Sequence, residues 1–214
     1  VILLTGFEPF GGDGFNPSRA IAFRAAEMLA ERAIRARAAE LPCVFALAPA
    51  RLNELVDEHE PDVVISLGLA AGRDALSLEK VAINHVDARI PDNAGDQPID
   101  RQVLPGGANA YFSTLPLKGA LLALTPATDP GKQAGSQVRA EISYSAGTFV
   151  CNQVFYTLMH RLDGNPGTRG GFIHVPWLEA NDPRIEIHAR AVADIAVLAL
   201  GTGPEPAFSA GRES

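Results

Sequence analysis

The chain has 214 residues, 47% hydrophobic and 20% charged, which suits one globular domain with a sizeable core. Its net charge of −7, with no basic run, argues against nucleic-acid partners and anionic membranes. Two cysteines, Cys43 and Cys151, are too few for a disulfide framework, no apolar run reaches membrane-spanning length, and Val1–Leu4 is too short for a secretory signal.

A cytoplasmic location is therefore expected, with a single Cys43–Cys151 bridge left open. Val1 to Thr5 is a continuous apolar run that ends at Gly6, the pattern of a buried parallel strand. A loop rich in Gly, Pro and Phe follows, and Asn16-Pro17 reads as an N-cap with proline at the first helical position. The helix so started carries Ile21, Ala25, Met28 and Leu29 on one face. Cys43 to Leu47 is expected as the second strand, Leu52 to His59 as a short helix closed by Pro61, and Val63 to Leu67 as the third strand. Leu76 to Val86 alternates well enough to be a strand, and 89–110 reads as loop. Leu117 to Leu124 starts a helix, and 125–137 is the most linker-like stretch, a surface insertion extending to about residue 139. A helix after Cys151, a strand to His174 and a helix from Pro183 to Leu200 complete the pattern, with a loose tail from about residue 202. Alternating strands and helices predict a single α/β domain over 1–214, with a mostly parallel twisted sheet covered on both faces.

The run Ser145-Ala146-Gly147-Thr148-Phe149-Val150-Cys151 puts a sulfur at or near a helix N-terminus. Free N–H groups and the helix dipole favour negative charge there, which predicts a lowered thiol pKa and a nucleophilic thiolate. His174, at the end of the apolar run Gly171-Phe172-Ile173, is a candidate base. A Cys–His pair needs a group that fixes the imidazole tautomer and supports its charge. Glu79 fits, because it interrupts the apolar run Leu76 to Ile83; the alternative is an exposed strand residue paired with a lysine across the sheet. Each of the three also has an ordinary structural reading. His59, His160 and His188 lie in helical patterns and are expected to be partly exposed, while His85 ends a polar strand. No spacing matches a metal site. Gly6, Gly11 and Gly12 follow a strand but lack dinucleotide-fingerprint spacing.

Several motifs in order resemble one family. Thr5-Gly6-Phe7-Glu8-Pro9-Phe10-Gly11-Gly12 with Asn16-Pro17-Ser18 is similar to the amino-terminal signature of the pyroglutamyl peptidase I (pyrrolidone-carboxylate peptidase) family of cysteine peptidases. Gly72-Arg73, Glu79 to Asn84 and Asp87 to Asn93 resemble its middle segment. Ser145 to Asn152 resembles its nucleophile motif, and Phe172 to Pro176 its histidine motif. The resemblance implies a three-layer α/β/α sandwich, a homotetramer, no metal and no cofactor. It implies a Glu79–Cys151–His174 triad that removes N-terminal pyroglutamyl (5-oxoproline) residues from peptides through a thioester. Phe7, Phe10, Ile90, Phe149 and Val150 fall on its lactam-pocket positions, Asn16 on a residue that holds that loop and pocket, and Arg89 on an arginine near the oxyanion site. Leu69 stands where many relatives have glutamine. Two alternatives remain at this point: a nucleoside phosphorylase of related architecture, and a silent protein that binds the lactam without turnover.

Overall fold

The computed structural model describes residues 1–124 and 138–210. Its centre is a six-stranded sheet in the order β2-β1-β3-β8-β4-β7, beside a two-stranded ribbon of β5 and β6. The strands are β1 (Ile2–Phe7), β2 (Ala36–Leu41), β3 (Val63–Leu69), β4 (Leu76–Glu79), β5 (Val81–Ile83), β6 (Ala110–Phe112), β7 (Ala140–Ser143) and β8 (Arg169–Val175). The helices are α1 (Pro17–Glu31), α2 (Ala48–His59), α3 (Leu117–Leu124), α4 (Val150–Leu162) and α5 (Arg184–Leu200).

The continuous apolar runs occupy the sheet centre, as burial on both faces requires. All six residues of β1 are buried, and β1 pairs in parallel with β2 and β3. Alternate side chains serve two cores. Ile2, Leu4, Ile65, Leu78 and Ile173 pack with α1, α3 and α5, while Leu3, Val64 and Phe172 pack with α2 and α4. The result is the expected three-layer sandwich. Within the six-stranded sheet, pairing is parallel except between β4 and β8, where Ser77 lies opposite His174 and Glu79 opposite Phe172.

Local chemistry sets the element ends. Asn16 caps α1 by accepting from the Ser18 N–H at 3.1 Å, ahead of Pro17. α2 stops at Glu60, which takes the left-handed conformation (φ 42°) just before Pro61.

Three expectations change. The second strand is Ala36–Leu41, not Cys43–Leu47; the latter stretch leads into α2 with Cys43, Val44 and Phe45 buried. The expected strand Leu76–Val86 breaks at Lys80 into β4 of the main sheet and β5 of the ribbon. The described part of the tail, 202–210, has no helix or strand, yet it is anchored: Glu205 accepts from the backbone N–H groups of Lys118 and Gly119 at 3.2 and 3.3 Å, which caps α3. The insertion expected near 125–139 lies outside the described residues except for its last two positions.

Candidate active site

The site forms where β1, β3 and β8 end, the usual ligand position in a parallel sheet. On β4 and β8, Glu79 and His174 point to the same face, the one covered by α4, because Leu78 and Ile173 point to the other. Register makes them diagonal neighbours across the antiparallel pair, and His174 Nδ1 lies 2.7 Å from Glu79 Oε1. Glu79 is 0% exposed and His174 4%. With the ionised carboxylate as acceptor, Nδ1 carries the proton and Nε2 is left free to exchange one. The reading of Glu79 as an exposed strand residue paired with a lysine is thereby replaced, since Glu79 is fully buried and its partners are His174 and Arg73.

Cys151 is the second residue of α4, whose N-cap Phe149 is extended and supplies no side-chain cap, leaving the first N–H groups to a ligand. The turn into the helix uses Gly147 at φ +77°, a region that side chains disfavour. Two clamps hold it. The Thr148 hydroxyl donates to the Asp87 carbonyl at 2.8 Å, and buried Asn152 accepts from the Ile83 N–H while donating to the Ile83 and His85 carbonyls. Gly68 completes the arrangement. It is the register partner of His174, and a Cβ built there would lie 2.8 Å from Cys151 Sγ and 2.7 Å from Phe172 Cζ. The sulfur therefore rests against the strand next to the imidazole, in space that only glycine leaves open.

The thiol does not show the expected lowered pKa. Burial, the largest cause, pushes Cys151 well above the ordinary thiol range, and the nearby Cys43 and Glu79 add to the effect. Helix placement does not outweigh desolvation here. Cys43 is likewise pushed up to about 12, chiefly by burial. Both cysteines are free thiols, which closes the bridge question.

Phe7, Phe10, Phe15, Asn16, Phe149, Cys151 and His174 share the wall of a cavity of about 240 Å³. Phe149 packs against Phe10 and Phe45, with ring centroids 5.2 and 5.0 Å apart. Asn16 fixes the rim by donating to the Glu8 carbonyl at 2.9 Å. Three expected residues lie off the wall. Val150 is fully buried in the core under α4, Ile90 is 37% exposed, and Arg89 is exposed. Asp13, Cys43 and Ala146, which motif reading did not single out for the wall, line it, as does Leu69. A larger cavity of about 620 Å³ lies at the opposite end of the sheet, beside Pro61 and Thr168, and holds none of the candidate catalytic groups.

Sequence reasoning also gave Arg73 no role. Its Nη1 donates to Glu79 Oε1 at 2.7 Å and to Ser143 Oγ at 3.3 Å, and its Nη2 to the Ser145 carbonyl at 3.0 Å. Nothing in the spacing of Arg73 and Ser145 reveals this contact, because the fold alone brings them together. His188, expected to be partly exposed, is buried on α5.

Among the described residues no group of three or more His, Cys, Asp or Glu side chains could hold a metal, and no helix is long and apolar enough to cross a membrane. The chain matches the family model described as pyroglutamyl peptidase over residues 1–195. It is similar to a pyrrolidone-carboxylate peptidase from Pseudomonas fluorescens, with 50% identity covering 83% of this chain and 79% of that one. A counterpart from Klebsiella pneumoniae is 47% identical over 84% of this chain and 79% of that one. Among solved structures, pyroglutamyl peptidase I from Bacillus amyloliquefaciens superposes with a TM-score of 0.84 and 36% identity, covering 97% of this chain and 98% of that one. A mutant pyrrolidone carboxyl peptidase from Pyrococcus furiosus gives 0.78 and 35%, covering 93% and 97%. With agreement of this extent in both sequence and fold, the chain belongs to the pyroglutamyl peptidase family.

Proposed function

We propose that Cys151, His174 and Glu79 carry out the reaction of this family in this chain: removal of an N-terminal pyroglutamyl residue from peptides. The observation that carries the reading is the buried Glu79–His174 pair at 2.7 Å, beside a cysteine in the wall of an aromatic cavity. Because burial favours the neutral thiol, Cys151 gives up its proton as it attacks, and His174 Nε2 takes it. The sulfur adds to the pyroglutamyl carbonyl, and the N–H groups at the start of α4 receive the developing oxyanion, with Arg89 assisting from its loop. Donors of this kind contribute about 3–4 kcal/mol each in the transition state. His174 then protonates the leaving amine. The thioester is hydrolysed by water, which His174 deprotonates in turn. Glu79 holds the ring and balances the imidazolium.

The cavity accounts for selectivity. A neutral lactam ring suits the faces of Phe10 and Phe149, and Phe7 and Asn16 shape the slot. An uncyclised terminus would bring an ammonium group into it without a partner, at a large desolvation cost. The reading includes a homotetramer in the cytoplasm, by the resemblance of the motifs and in keeping with the free thiols. Size-exclusion chromatography with light scattering measures the assembly directly. Turnover is tested with a chromogenic pyroglutamyl amide, with and without prior iodoacetamide: cleavage abolished by alkylation is expected, and alkylation-resistant cleavage would remove the thiol from the chemistry.

A further inference from the structure

We propose that Arg73 is a positioning residue whose guanidinium fork holds the Glu79 carboxylate in place behind His174. This rests on the triad reading above. Glu79 is fully buried, and a buried carboxylate is costly unless it is paired and hydrogen-bonded. Both of its hydrogen bonds, from Arg73 and with His174, fall on Oε1, while Oε2 is buried and has no partner among the described residues. One oxygen thus orients the imidazole, and the other adds nothing to hold the group.

The imidazole is neutral through part of the proposed cycle, so a permanent cation must come from elsewhere. Lys80 is adjacent in sequence, but its ammonium lies over the Phe112 ring. Arg89 is exposed. Arg73 remains, 2.7 Å from the carboxylate. Its geometry is fixed independently of Glu79. Nη2 donates to the Ser145 carbonyl, Nη1 reaches Ser143 Oγ, and the Arg73 N–H closes the turn after β3 on the Ala70 carbonyl at 3.0 Å. A planar fork can reach the carboxylate and the Ser145 carbonyl together; a lysine ammonium, a single point on a flexible stem, holds only one of them well.

The test is a double-mutant cycle on the full chain, read as kcat and KM with a chromogenic pyroglutamyl amide. R73M keeps most of the stem and removes the fork. The expected result is a fall in kcat of about 10- to 100-fold, the usual scale for a supporting group behind a catalytic one, with KM changed by less than about twofold. In an E79Q background, R73M should cost less than about twofold more, because its target carboxylate is gone. Millimolar guanidinium should restore part of the kcat of R73A, since the side chain is partly exposed, and should do nothing for the R73A/E79Q pair. Unchanged kcat, a loss confined to KM, or the full R73M factor multiplying that of E79Q would each overturn the proposal. Should R73M fail to fold by circular dichroism, R73K is read by the same cycle and the same criteria. Turnover that survives in C151A would instead strike the triad itself, independently of how Arg73 behaves.

Discussion

The Cys151 sulfur packs against Gly68, the register partner of His174, so the smallest residue at the site sets its geometry. A methyl group at position 68 would overlap both Cys151 Sγ and Phe172 Cζ, at 2.8 and 2.7 Å. G68A should therefore push the sulfur off its line and lower kcat at least as much as stability, where overpacking of this kind costs about 1–3 kcal/mol. Chemical denaturation beside steady-state kinetics separates the two, and a fully active G68A would show that the thiol works from another position. Cys151→Ala should abolish turnover while leaving the melting temperature near that of the parent. Glu79→Gln is a subtler change. It keeps the shape but favours the wrong imidazole tautomer and removes the charge that balances the imidazolium. A neutralised orienting carboxylate of this type lowers kcat by up to about 10⁴-fold with little effect on binding. An E79Q enzyme that keeps its kcat would make the 2.7 Å contact structural only.

Elements bring these residues together, and some were easier to read from sequence than others. β1, β3 and β8 are apolar runs buried on both faces, and all three are recognisable for that reason. β2 is not: its ARAAEL sequence is half-exposed at the sheet edge and poor in β-branched residues, so nothing in its pattern competes with the apolar Cys43–Leu47 stretch next to it. The first three residues of that stretch are buried for another reason, because Cys43 and Phe45 back the cavity. Cys151, His174 and Glu79 were legible as candidates because each interrupts an apolar run with a reactive side chain. Arg73 was hidden because its partners, Glu79 and Ser145, reach it only after β4 and β7 have paired. Ile90 and Val150 show the limit of motif transfer: a matching position does not fix which way a side chain points. Asn16 works at this scale too, since one side chain both caps α1 and ties down the Glu8 carbonyl at the cavity rim. Asn16→Ala should cost about 1 kcal/mol of stability as a lost cap. It should also raise KM more than it lowers kcat, because the rim loosens while Cys151, His174 and Glu79 stay in place. Urea denaturation and a KM determination check both halves, and a stability loss with KM unmoved would confine Asn16 to the helix.

At the scale of the whole molecule, the layer opposite the site supplies a pH dependence separate from catalysis. α1, α3 and α5 share one core, and buried His188 on α5 is a titratable group in that layer. Its Nδ1 lies 2.7 Å from the Arg184 carbonyl, so Nδ1 donates and the neutral ring is already satisfied. Burial, the largest cause, lowers the pKa of His188 below the ordinary imidazole value; Arg184 lowers it further, while its backbone contact and Asp182 oppose the shift. The sign follows from linkage. With the folded pKa depressed, the unfolded chain binds the proton first as pH falls through about 6.5, the ordinary imidazole value, so protonation draws the protein toward unfolding. The contribution of the neutral ring is present in full above that value and is lost as pH drops toward the lower folded pKa. His188→Asn removes the titration. The parent should therefore lose more melting temperature than H188N between pH 8 and pH 5. His59, His85, His160 and His174 are common to both proteins and cancel in the difference. Parallel melting curves across that range would show that protonating His188 costs the folded state nothing, and that the layer opens locally to admit the charge.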